Sequence, residues 1–148
     1  QQARIRKTQL FFSDRDAFMA ALVKDINLAI KQSEKAGLIP AIRLNGTSDL
    51  SFEKYGFTEA GVFYQNIMAR FPTVQFYDYT KVLGRKVADI PNYHLTFSNA
   101  DGNEADVAKA IASGYNIATV FGLKKTEAMP ATYMGLPVFN GDQGFNVC

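Results

Sequence analysis

Short apolar segments that end in polar clusters recur along the chain, and they predict the strands of a parallel sheet. Three of them are residues 41–44, 74–77 and 93–97, followed by polar clusters at 45–49, 78–81 and 98–99. Crossover helices cover a parallel sheet and leave the carboxyl ends of its strands open, so functional residues collect at those ends. The pattern therefore predicts a site there.

Helical periodicity accounts for much of the remaining sequence. A helix is predicted from Ser13, whose hydroxyl and Asp16 have capping-box spacing, to Gly37. Two more are predicted over residues 58–70 and 103–113, and strands are predicted near 39–44, 73–79, 93–98, 116–121 and 137–140. Alternation of strands and helices predicts an α/β fold with a mostly parallel, curled sheet, a partial β/α barrel with crossover helices.

Size and composition change this picture little. The 148 residues, 47% of them hydrophobic, are enough for a single α/β domain spanning 1–148. The first and last residues, Gln1 and Cys148, lead us to expect a fragment of a longer chain. One cysteine excludes a disulfide scaffold and a multi-cysteine metal site, so no metal is expected within this chain. Without a long apolar run or leader, we expect no membrane partner and a cytoplasmic location.

The polar clusters supply the candidate ligand contacts for a small polar molecule. Gly46 permits close approach of the backbone, and hydroxyl, amide and carboxylate groups around it can bind an amine, a hydroxyl or a sugar edge. The alternative is a turn whose side chains satisfy their own backbone. The candidate ligand-binding residues are Arg43, Asn45, Gly46, Thr47, Asp49, Tyr77, Thr80 and Ser98.

Asp78 and Lys81 are the candidate catalytic residues. A buried strand rarely carries an acid, a base and two phenols in succession. Lys81 could contact an anion or donate a proton while Asp78 sets its charge state, or the two could form a simple ion pair. His94, the one histidine, is more typical of a hydrogen-bonded core residue than of a catalyst or a ligand.

A nucleic-acid interface is the second functional interpretation. The net charge of +2 does not by itself indicate such a partner. Local basic clusters could nevertheless bind phosphates, with Tyr77 or Tyr79 stacking on bases. The candidate phosphate contacts are Arg4, Arg6, Lys7, Lys81, Arg85 and Lys86.

Several motifs together resemble the gene product 88-like family of phage and plasmid proteins. They are residues 3–8, 43–49, 76–81, 92–98 and 141–142. The resemblance spans nearly the whole chain. It implies a cysteine-rich segment upstream of this sequence and a location in the host cell of a phage or plasmid.

A weaker resemblance is to radical S-adenosylmethionine enzymes. It implies an iron-sulfur cluster and S-adenosylmethionine in the full-length protein, with Gly46 and Asp49 where those enzymes hold the methionine amine. The chain departs from that pattern, because it has one glycine and an aspartate there and no cysteines for a cluster. A third interpretation is a structural or virion-associated protein with a retained enzyme-like fold, whose polar strand ends would form a closed hydrogen-bond network.

Overall fold

The computed structural model describes residues 2–124 and 126–141. The chain groups into two compact units, Gln1–Ala118 and Thr119–Cys148. A single domain over residues 1–148 stays a prediction, and each unit is described by itself. The elements of the first unit are α1 (Gln2–Ser13), α2 (Arg15–Lys35), β1 (Ala41–Arg43), a 3-10 turn (Phe52–Lys54), β2 (Phe57–Glu59), β3 (Val62–Tyr64), α3 (Ile67–Arg70), β4 (Gln75–Thr80), β5 (Tyr93–Ser98), α4 (Glu104–Ala112) and β6 (Asn116–Ala118).

A four-stranded, all-parallel sheet in the order β1-β4-β5-β6 is the centre of this unit. The predicted α/β class is confirmed. The sheet stays open, and the described residues form no closed barrel. Because all four strands run the same way, their carboxyl ends lie at one edge, as the polar clusters predicted.

Helices α2 and α4 cover the same face of the sheet. Strand pairing places Phe76 beside Tyr93 and Thr80 beside Phe97, so these buried residues share one face. Met19, Val23 and Ile26 of α2 pack in one cluster with Phe76, Tyr93 and Leu95. Val107 and Ala110 of α4 pack in a second cluster with Phe97. We call this side the helix-covered face.

The first predicted helix begins one residue later than expected and is preceded by another helix. Ser13 is the last residue of α1, and Asp14 is the N-cap of α2, where its Oδ1 accepts a hydrogen bond of 2.9 Å from the Ala17 amide. Helix α1 was not predicted from the sequence. Phe11, almost fully buried, joins it to α2 through an edge contact with Phe18.

The predicted helix over residues 58–70 is wrong. The segment forms the antiparallel hairpin β2–β3 and then the single turn α3. Ala60 and Gly61 both have positive φ, 49° and 80°, which is the backbone of a two-residue hairpin turn. Aromatic residues on both strands favour the hairpin, and the rings of Phe57 and Tyr64 lie 5.6 Å apart.

A fifth strand was predicted near residues 137–140; the structure has a short one at Leu136–Pro137, and it does not pair with the parallel sheet. In the second unit Thr132–Tyr133 and Leu136–Pro137 form a separate antiparallel pair, β7 and β8. The turn between them has positive φ at Met134 and Gly135.

The predicted helix over residues 103–113 is confirmed as α4, although Asn103 makes no side-chain cap and instead donates to the Ser98 carbonyl.

Candidate functional site

The polar clusters after β1 and β4 meet in a buried hydrogen-bond network. Asp78 and Asn45 are each 1% exposed, and Asp78 Oδ1 accepts a bond of 2.7 Å from the Asn45 backbone amide. Asn45 Nδ2 donates to Asp78 Oδ2 at 2.9 Å and to the Leu50 carbonyl at 3.0 Å. Asn45 Oδ1 accepts from Ser48 Oγ and from the Leu50 amide. The turn after β1 is therefore held to β4 by side chains.

Asp49 makes a second connection between the same two strand ends. Its carboxylate accepts a bond of 2.8 Å from Thr80 Oγ1 and another of 2.8 Å from the Lys81 backbone amide. Thr80 Oγ1 in turn accepts from the Val82 amide at 3.0 Å. The start of the segment after β4 is thereby fixed against the turn after β1.

Arg85 joins this network from the segment between β4 and β5. Its side chain is 1% exposed and makes two bonds to the Glu53 carboxylate, Nε to Oε1 at 3.0 Å and Nη2 to Oε2 at 2.6 Å. It also donates to Asp49 Oδ1 at 3.1 Å and to the Tyr93 hydroxyl at 2.9 Å. Tyr93 donates onward to Asp78 Oδ2 at 2.9 Å. Three segments of the fold are thus joined by one chain of contacts.

Burial and these contacts shift the pKa values of the central groups. Burial raises the pKa of Asp78, against the opposing hydrogen bonds from Asn45 and Tyr93. The pKa of Tyr93 is raised well above its ordinary range by burial and by the charge of Asp78. Burial alone would lower the pKa of Arg85, but the bonds and charge of Glu53 outweigh it and raise that pKa. Arg85 is therefore permanently charged, with its charge neutralised by Glu53 and Asp49.

The network is closed on itself. Among the described residues, every buried side-chain nitrogen or oxygen has a hydrogen-bond partner. The polar atoms of Asn45, Asp49, Asp78 and Thr80 are engaged with protein groups, while Gly46, Thr47 and Lys81 are exposed. A ligand-binding role for these residues, and a catalytic role for Asp78 and Lys81, stays a prediction.

The opposite side of the sheet, which we call the polar face, has a different composition. Strand register assigns its positions, because residues paired across neighbouring strands point to the same side. No carboxylate occurs among the positions that the four strands contribute. They are Ala41, Arg43, Gln75, Tyr77, Tyr79, His94, Thr96, Ser98, Asn116 and Ala118.

Arg43 and the two tyrosines of β4 are neighbours on the polar face. The Arg43 guanidinium lies 4.8 Å from the centroid of the Tyr79 ring, within cation–π range. The rings of Tyr77 and Tyr79 are 6.5 Å apart with an edge-to-face arrangement. Both tyrosines are half-buried. His94, paired with Tyr77 across the strands, is exposed, so the prediction that it lies in the core is wrong. Ser98 lies half-buried at the end of β5.

The basic candidates form two groups, one on α1 and the other on the segment after β4. Arg6 and Lys7 are exposed on α1, where Lys7 pairs with Asp25, and Lys86 is exposed after β4. The side chain of Arg4 lies outside the described part of the structure. Arg85 differs from these exposed residues, because its guanidinium is buried and forms ion pairs.

Sequence reasoning missed two members of the network, Glu53 and Tyr93. A signal for Tyr93 was available, since a tyrosine that alternates with Leu95 and Phe97 lies on the buried side of a strand and its hydroxyl then needs a partner. Glu53 had no such signal, because the 3-10 turn that carries it was not predicted.

Residues 2–124 and 126–141 contain neither a metal-binding cluster nor a membrane-spanning helix. No cluster of three or more histidine, cysteine or acidic residues occurs there that could hold a metal ion. Across the same residues, no helix has the length and apolar character needed to cross a bilayer. Cys148 lies outside the described residues.

The fold and network define an α/β protein whose parallel sheet carries α2 and α4 on one face. The chain belongs to the gene product 88 family, whose model matches residues 1–147. No curated protein and no solved structure matches it.

The resemblance to radical S-adenosylmethionine enzymes is not supported. Asp49, placed by that resemblance at the methionine amine, accepts bonds from Thr80, Lys81 and Arg85 instead. The residues present do not fit that cofactor.

Proposed function

We propose that the protein binds single-stranded nucleic acid, DNA or RNA, on the polar face of its sheet. The single observation that carries the proposal is the arrangement of Arg43 over Tyr79, next to Tyr77, on a sheet face without carboxylates. Aromatic rings on a sheet stack with unpaired bases, and nearby cations bind the backbone.

The asymmetry of the sheet supports this proposal. All-parallel sheets are usually apolar on both faces because both are covered by helices. Here the helix-covered face is apolar around its network, whereas the polar face carries tyrosine, arginine, histidine and amide side chains. Such residues favour contact with a polar, aromatic and anionic partner.

The closed network argues against a small ligand as the main partner at the strand ends. A small-molecule site needs a concavity with convergent polar groups. The Asn45, Asp49 and Asp78 groups that converge here already bind each other and their neighbours. An extended strand lying across a sheet face needs no such concavity.

A direct test is the binding of fluorescent oligothymidylate and oligouridylate, followed by anisotropy at low and moderate salt. Wild-type protein should bind both, and Tyr79→Ala should weaken binding by about 1–3 kcal/mol, the usual loss for one stacked base. Phe63→Ala is the matched control, because Phe63 is a 66% exposed aromatic on the β2–β3 hairpin. Absence of binding by the wild-type chain, or equal losses in the two variants, would refute the proposal.

A structural role is the second candidate, and the closed network favours it. A network without unpaired buried side-chain atoms in the described residues fixes the strand ends rigidly. This candidate predicts no nucleic-acid binding at any salt concentration, together with self-association detectable by analytical ultracentrifugation.

A further inference from the structure

The geometry of Arg43 points to a preformed site for bidentate binding of a phosphate. We propose that Arg43 binds one backbone phosphate of the nucleic acid through its Nη1 and Nη2 atoms, and that Asn45 and Asp78 are the positioning residues that hold it ready. This inference rests on the proposed function and adds the contact made at one residue.

The guanidinium of Arg43 is fixed at two points. Its Nε donates a hydrogen bond of 2.9 Å to the Asn45 carbonyl, and its Cζ lies over the Tyr79 ring, 4.8 Å from the ring centroid. Arginine side chains normally lose much rotamer freedom when they bind, so an arginine held in advance binds a ligand with a smaller entropic cost.

The remaining donors of Arg43 are available. Within the described residues, Nη1 and Nη2 of Arg43 make no hydrogen bond and no ion pair with a carboxylate. Arg85 provides the contrast, since its donors are used by Glu53, Asp49 and Tyr93. Two parallel N–H groups match the geometry of two phosphate oxygens.

The buried network explains why the acceptor for Arg43 Nε is itself immobile. Asn45 is held through its amide and side chain by Asp78, and through its side-chain oxygen by the Leu50 amide. The Asn45 carbonyl therefore has a fixed position at the end of β1. The network thus presents an arginine on the other face of the sheet rather than contacting the ligand itself.

Arg43→Lys separates fork geometry from charge. It keeps the cation, so the slope of log affinity against log salt should stay near the wild-type value while affinity for oligothymidylate falls by about tenfold. Arg43→Ala should also reduce that slope by about 0.7, the value for one neutralised phosphate on a single strand. Oligothymidylate contains no guanine, so a loss with this probe reports phosphate and not base-edge recognition.

Arg15→Lys is the matched control. Arg15 also stacks on a tyrosine, with its guanidinium 4.7 Å from the Tyr55 ring, but it lies on α2. Unchanged affinity in Arg43→Lys, or an equal loss in Arg15→Lys, would overturn the inference while leaving nucleic-acid binding intact.

A second measurement does not depend on nucleic acid. Titration of isotope-labelled protein with inorganic phosphate should shift the Arg43 Nε signal at lower phosphate concentration than the Arg15 signal. Equal responses of the two arginines overturn the phosphate fork. Failure of the wild-type chain to bind either oligonucleotide, in contrast, overturns the proposed function itself.

Discussion

Asp78 binds Asn45 twice, through the backbone amide and through the side-chain amide. The two residues come from different strands, since Asn45 follows β1 and Asp78 lies within β4. A carboxylate that accepts from both amides of one residue fixes the orientation of that residue as well as its distance from the carboxylate. Asp78 consequently anchors the turn that carries Asp49 and Leu50, and the bonds of Asp49 to Thr80 and Lys81 add a second anchor.

The contribution of Asp78 to stability should depend on pH. Burial raises its folded pKa above the ordinary value of 3.8. For a raised pKa, the stabilising contribution is complete below the unfolded pKa and is lost as the pH rises through the folded pKa. The difference in free energy of unfolding between wild type and Asp78→Asn should therefore shrink as the pH rises from acid, measured by urea denaturation. A difference that grows with pH would mean that the hydrogen bonds outweigh burial.

Tyr93→Phe should destabilise the fold by about 1–3 kcal/mol, because it removes a hydroxyl between two buried groups. Asp78 Oδ2 loses one donor and Arg85 Nη2 loses one acceptor. Denaturant unfolding measures the change. Tyr64→Phe is the control, since Tyr64 is half-buried outside this network, and it should lie within about 0.5 kcal/mol of wild type.

Arg85→Met should cost about 3–5 kcal/mol, the usual range for removing one member of a buried ion pair. The variant leaves Glu53, whose side chain is 4% exposed, without its partner. Lys86→Met, at the neighbouring exposed position, should change the free energy of unfolding by no more than about 0.5 kcal/mol. Comparable losses in both variants, measured by thermal and urea unfolding, would contradict the role assigned to Arg85.

The sheet was predictable because its signals are local. Apolar runs at residues 74–77 and 93–97 mark β4 and β5, and the polar residues after them correctly predicted a meeting of strand ends. What the side chains do there was not predictable from sequence. From the sequence, Asp78 could be a catalytic or a structural acid. The structure adds that Asn45 and Tyr93 donate hydrogen bonds to its carboxylate oxygens.

The β2–β3 hairpin shows where local signals mislead. Thr58 and Glu59 have the spacing of a helix start, but aromatic residues on both sides of Ala60 and Gly61 pair across a tight turn. The hairpin forms in spite of the helix signal because Phe57 packs in the core and Gly61 adopts a positive φ. The polar face also needed the register, because sequence alone does not align Arg43 with Tyr77.

Ala60→Gly should stabilise the protein by up to about 1 kcal/mol. Ala60 has φ of 49°, a conformation that glycine adopts without the steric cost of a Cβ. The same substitution at Ala108, an exposed position inside α4, should instead destabilise by about 0.5–1 kcal/mol. Stability changes of opposite sign in the two variants, measured by thermal unfolding, would verify the left-handed turn. A loss of stability in both variants would contradict it.

Stacking and charge on the polar face should separate by their response to salt. Tyr79→Phe keeps the ring, so its affinity for oligothymidylate should stay within about twofold of wild type, whereas Tyr79→Ala should lose about 1–3 kcal/mol at every salt concentration. Binding to a blunt duplex should be weaker than to the single strand, because paired bases offer no free face to Tyr77 or Tyr79. Anisotropy titrations over a salt series measure all three effects. Equal affinity for duplex and single strand would show that phosphate attraction alone operates, and the stacking role of the two tyrosines would then be wrong.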